Sequence, residues 1–117
     1  MSEYLPIYKP GQAITLKASA AITGGQLVEV TGSGTVGPAG AASTKVVGVA
    51  AFDAATNDNV TIYAGGVQHA KAAGAITAGD VVQAGAAGTV ASGTTAPIGI
   101  ALTTAATNAD VRVSLRS

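Results

Sequence analysis

Two stretches of this chain share half of their residues position by position. AITGGQLVEVTGSGTV, residues 21–36, aligns without a gap on AITAGDVVQAGAAGTV, residues 75–90. After a short difference in length, TKVVGVAAFDAATNDNVTIY (44–63) pairs with TAPIGIALTTAATNADVRVS (95–114), and the tetrapeptide AATN occurs in both. Internal similarity of this kind constrains a fold more than any single motif. With 117 residues there is room for one domain and no second independent core. Both copies must therefore belong to one body.

Each copy obeys the same grammar. Ile22-Thr23-Gly24-Gly25 and Ile76-Thr77-Ala78-Gly79 open a turn. A short apolar strand follows, Leu27-Val28 with Val30 or Val81-Val82, and then a Gly-Thr-Val hairpin. Next comes a buried strand with glycine at its centre, Val47-Gly48-Val49-Ala50 or Ile98-Gly99-Ile100-Ala101. AATN makes another turn, and an alternating strand ends the copy. In the second copy Val111, Val113 and Leu115 share one face, and Arg112, Ser114 and Arg116 the other. Such period-two patterning gives a strand one dry side and one wet side. Many short strands between Gly, Asn and Thr clusters predict an all-β sandwich or barrel. Ala50 to Thr56 is rich enough in alanine for a single helical turn; no long amphipathic helix is expected.

Gly32 to Gly37, GSGTVG, fits the dinucleotide pattern G-x-G-x-x-G. That pattern holds a pyrophosphate only where a helix N-terminus follows. Here Gly37-Pro38-Ala39-Gly40 opposes a helix, and the second copy retains only Gly88-Thr89-Val90 of the motif. The stretch is predicted to be a hairpin turn in which glycine supplies positive φ.

Charged residues make up 10% of the chain and the formal net charge is zero. The six Lys and Arg are scattered, so no basic stripe for nucleic acid is expected. No basic amphipathic helix for a membrane surface is seen either. Residues 81–109 carry no charge, but their Gly, Thr, Pro97 and Asn108 argue against a spanning helix. MSEYLPIYKPG has neither the basic leader nor the apolar run of a signal peptide. Cysteine is absent, which excludes disulfides and thiolate chemistry. The 48% apolar content is largely alanine with few aromatics, and there are 16 glycines. A core of this kind is thin and the glycines raise the entropy lost on folding. The isolated subunit is therefore expected to be marginally stable and to lean on partner subunits, with a melting point that rises with protein concentration.

Candidate chemistry is sparse. His69, the single histidine, would have to serve any triad, yet it stands in an alternating stretch with Gln68 on the opposite face. It is expected on a surface or a subunit contact. The carboxylates are Glu3, Glu29, Asp53, Asp58, Asp80 and Asp110; only Asp53 and Asp58 are close in sequence, around AATN. Turn and strand-start hydrogen bonding accounts for them. Neither the ligand count of a zinc site nor the oxygen density of a calcium loop is present. No catalytic residue, metal or cofactor is expected, and the chain is not expected to be an enzyme.

One stretch lies outside both copies: Tyr4, Leu5, Pro6, Ile7, Tyr8, Lys9 and Pro10. Its prolines favour an extended chain. Apolar groups on an extended arm need something to dock on, either the chain's own barrel or a neighbour.

The chain resembles the small capsid decoration, or cement, proteins of tailed bacteriophages. The matching phrases are Tyr8-Lys9-Pro10-Gly11-Gln12-Ala13-Ile14-Thr15, Ile76-Thr77-Ala78-Gly79-Asp80-Val81-Val82, Ile98-Gly99-Ile100-Ala101 and Asp110-Val111-Arg112-Val113. Gln12 stands where an acidic residue is common in that family. The resemblance implies a small Gly/Ala-rich β-barrel or β-tulip, here built from two pseudo-repeats, with an extended N-terminal arm. Residues 1–19 would form the arm and first strand, and 20–117 the β-barrel domain, with internal repeats 21–63 and 75–114. It also implies a place on the outer surface of the capsid, the major capsid protein as partner, and self-association as a homotrimer. There the protein would staple adjacent capsid subunits against the pressure of packaged DNA, with residues 4–10 as the anchoring arm to capsid or sister subunit. A surface-adhesion or carbohydrate-binding β-module is the alternative, although sugar sites usually offer more aromatic platforms than Tyr4, Tyr8, Phe52 and Tyr63 supply.

Overall fold

A computed structural model of the chain describes residues 13–115. The tyrosine- and proline-bearing segment Tyr4 to Pro10 lies outside the described residues. Ten strands follow one another: β1 (Ile14–Ala18), β2 (Leu27–Gly32), β3 (Thr35–Pro38), β4 (Val46–Ala50), β5 (Asn59–Tyr63), β6 (Gly66–Lys71), β7 (Val81–Ala84), β8 (Val90–Ser92), β9 (Pro97–Ala101) and β10 (Asp110–Leu115). The first five close into a barrel in the order β1-β3-β2-β4-β5, with β5 pairing back onto β1. The other five form a sheet in the order β6-β10-β9-β7-β8. The fold is all-β. Ala50 to Thr56 makes no helical turn: Ala54 is held in a bridge to Ile22, which keeps this stretch extended. Among the described residues the one helical piece is a 3-10 turn at Ala86–Gly88.

The pairings of the two sheets run in parallel. β2 pairs antiparallel with β3 and β4, as β7 does with β8 and β9. β5 pairs with β1, and β10 with β6. The bridge Ile22–Ala54 has its counterpart in Ile76–Ala105. Turn chemistry also recurs. The N–H groups of Thr23 and Thr77 donate to the side chains of Gln26 and Asp80, at 2.8 and 3.0 Å. In both AATN turns the asparagine takes positive φ, +74° at Asn57 and +67° at Asn108, a conformation that asparagine tolerates better than most residues.

GSGTVG is a hairpin between β2 and β3, with Gly34 at φ +74°. No helix follows it, so the phosphate-cradle geometry is absent.

β2 explains how the halves meet. Leu27 and Val28 are adjacent and both fully buried, so this strand is dry on both faces. Val28 points into the first barrel with Ala18, Ile22, Val36, Val60 and Ile62. Leu27 points the other way, into a cluster with Ile76, Val82, Ala84, Val90 and Val111 of the second half. Val49 of β4 joins Leu27 there, while its neighbour Ala50 faces the first barrel. The loop after β3 completes the junction. Ala39 is buried in the same cluster; its carbonyl accepts from Gly88 N–H at 2.8 Å, and Ala42 N–H donates to Ala84 O at 2.8 Å. That loop accounts for the length difference between the two copies.

The core is built of Val, Ile, Leu and Ala, and among the described residues no polar or charged side chain is buried.

Candidate functional site

The described residues converge on no reactive centre. His69 is exposed on β6, with Arg112 opposite it on β10. Three carboxylates serve the backbone. Asp53 Oδ1 accepts from Gly24 N–H at 2.8 Å, Asp58 Oδ2 from Ala55 N–H at 3.2 Å, and Asp80 Oδ2 from Thr77 N–H at 3.0 Å. Asp58 and Asp80 lock their own turns, as short acidic side chains do, and Asp53 reaches across to the turn at Gly24. Glu29 also reaches beyond its own turn: its Oε1 accepts from Gly40 N–H at 2.8 Å. That bond, helped by the Ser43 hydroxyl and Lys45, holds the Glu29 carboxyl below its ordinary pKa. Glu29 thus pins the loop that joins the two halves. No group of three or more His, Asp or Glu is gathered for a metal among the described residues. Among them, too, no helix is long and apolar enough to cross a membrane.

What the surface does offer is grooves and apolar side chains. One groove of about 290 Å³ runs between β4 and β9, lined by Val46, Val47, Pro97, Ile98 and Leu115. Both strands bulge here: β2 shifts register against β4 after Val28, and β7 against β9 after Val82. A bulge bends its strand and exposes part of its edge. A second groove of about 270 Å³ lies between β6 and the turns Thr23–Gln26 and Ala87–Thr89. Phe52, Tyr63, Val67 and Leu102 stand about half exposed. Isolated apolar side chains are ordinary on a surface, but Tyr63 and Val67 bracket the passage from β5 to β6. Neither groove was visible in the sequence.

This is a scaffold that presents surfaces. The model of the phage cement protein family matches residues 8–116. The chain belongs to the phage cement protein family. It is accordingly a structural, capsid-associated component of the virion, carried at the capsid surface. Among solved structures this cement-family chain is similar to the head fiber gp8.5 N base of bacteriophage phi29. The TM-score is 0.72, with 20% sequence identity, over 89% of this chain and 92% of that one. At that identity the likeness speaks to the fold alone. No curated protein matches the chain.

Proposed function

We propose that this chain decorates the outside of the phage head and staples adjacent major capsid protein subunits, opposing the outward pressure of packaged DNA. The observation that carries the reading is the cement-family match along nearly the whole chain. The described residues fit it, because they offer turn locks and grooves in place of reactive groups. A head carries many equivalent sites, so a small module acts there by multivalent contact and needs no chemistry. The sparse and balanced charge suits a neutral coat that neither attracts nucleic acid nor repels its own copies. Residues Tyr4 to Pro10 are the anchoring arm, and the working form is a homotrimer.

The arm is tested by removing it. A chain lacking residues 1–10 keeps β1 through β10 and is expected to retain a β-type circular dichroism spectrum. Its occupancy on purified heads, read by sedimentation and gel densitometry, is expected to fall about 100-fold at sub-saturating concentration. A loss of about 3 kcal/mol of contact corresponds to that factor. Full occupancy by the truncated chain would remove the arm from the mechanism.

A further inference from the structure

The two halves serve as each other's control. They share strand pairings and turns, so the fold accommodates either residue at each equivalent place. Where their exposed chemistry differs, the difference calls for a reason outside the fold.

The second sheet differs on its outer face. Val111 and Val113 of β10 are buried, so Arg112 and Ser114 point outward. Register carries that face across four strands. Val67, Ser114, Ile100 and Val81 stand in one row, and His69 and Arg112 face each other in the next. In the first half the same row is Tyr63, Val49 and Leu27, and there Val49 and Leu27 are buried in the junction. In the second half the row stays at the surface. Val67 is more than half exposed, Ile100 and Val81 partly, and Leu102, bonded through its N–H to Arg112 O, about half. The neighbouring row diverges too: Thr15 faces Thr61 on the first barrel where His69 faces Arg112 on the second sheet. Two basic side chains directly opposite each other do not help a sheet. Lys71 has Asp110 opposite it, so the surplus lies at Arg112 and His69.

The first half holds the complementary surplus. Phe52, Asp53 and Asp58 take the places of Thr103, Thr104 and Ala109. The turns need neither carboxylate. Thr104 Oγ1 accepts from Ala78 N–H at 3.0 Å, the equivalent of the bond between Asp53 and Gly24. Ala109 N–H closes its turn on Ala106 O at 3.0 Å, as Asp58 N–H does on Ala55 O. Phe52 is about half exposed. One loop thus offers an aromatic ring with two carboxylates, and one sheet face offers an apolar row with two basic groups. The loop is tied to the first barrel by the Ile22–Ala54 bridge, and that barrel packs on the inner face of the second sheet. A chain cannot bring this loop round to its own outer face.

We propose that the loop Phe52 to Asp58 of a second copy docks on the outer face of the second sheet. Its ring lies against Val67, Ile100 and Leu102, and its carboxylates face Arg112 and His69. An apolar centre with a charged rim is the usual anatomy of such contacts. The proposal rests on the reading above that the working form is a homotrimer, and it names the contact that builds it. Every copy offers one loop and one face, and a head-to-tail contact of that kind closes into a ring when its rotation allows.

The test borrows residues from the opposite half. A loop variant carries Phe52→Thr, Asp53→Thr and Asp58→Ala; a face variant carries His69→Thr and Arg112→Thr. Circular dichroism checks that both keep β structure, and Asp58→Ala alone or Arg112→Thr alone replaces a variant that does not fold. Light scattering reads the mass over a dilution series. Each variant is expected to need roughly 30-fold more protein than the unsubstituted chain to reach the trimer mass. Equal parts of the two are expected to give a two-subunit species, since one brings an intact face and the other an intact loop. Trimer formation by both variants at the concentration that suffices for the unsubstituted chain would overturn this contact and leave the homotrimer reading standing. An unsubstituted chain that keeps the mass of one subunit at every concentration would defeat the homotrimer reading, and this contact with it. A face variant that assembles normally but no longer binds purified heads would overturn the sister contact and give this face to the capsid.

Discussion

Replacing Gly48 or Gly99 by alanine is expected to cost about 3 kcal/mol in each case, at the upper end for overpacking, and to lower the melting point by about 10 °C. Both glycines lie where the paired neighbouring strand of the same sheet comes unusually close. A methyl group at Gly48 would run into the Tyr63 carbonyl and, at 2.9 Å, the Ile62 side chain. One at Gly99 would run into the Ser114 carbonyl, with the Leu115 Cα at 3.1 Å. Backbone cannot rotate aside as a side chain can, so the strands must part. These close approaches sit beside the bulges of β4 and β9, where extra twist brings neighbouring backbones together. Gly74→Ala serves as the control: a methyl group there meets nothing within 4 Å, and the effect is expected within about 1 kcal/mol. Thermal melts of the three variants check this. An unchanged melting point for Gly48→Ala and Gly99→Ala would mean that the paired strands do not approach so closely there.

The second large effect is expected at Leu27. Its side chain is fully buried and lies in the cluster that joins the two halves. Leu27→Ala removes that plug and leaves a cavity between β2 and the second sheet, at a cost of about 3 kcal/mol. The loss falls on the junction. Amide exchange is therefore expected to accelerate most in the segments held across it, Ala39 to Ala42 and Ala84 to Gly88, and less in the first barrel's own cluster around Val28 and Val60. Uniform acceleration across the chain would argue that the halves do not part separately.

Much of this architecture is readable before any coordinates. Period-two alternation at Val111 and Val113 placed β10 and its dry face. The Gly-Thr-Val stretch exposed GSGTVG as a hairpin, because a phosphate loop needs a helix that Gly37 and Pro38 prevent. Asp58 and Asp80 were legible as turn locks, since each sits in a turn whose N–H groups need acceptors; the reach of Asp53 to Gly24 was not. The junction was not legible. Alternation tells which residues are dry but not what covers them, so Leu27 and Val28 could not be assigned to different cores. The single helical turn that the alanines of Ala50 to Thr56 would have allowed does not form, because alanine's helix preference is weak beside a strand bridge at Ala54.

The placement of this chain on the particle is the most direct test. Electron microscopy of heads carrying the chain, compared with heads stripped of it, is expected to show added density on the outer surface, each unit touching two neighbouring capsid protein subunits. Density inside the shell, or on a single capsid subunit with no bridge to the next, would contradict the stapling account.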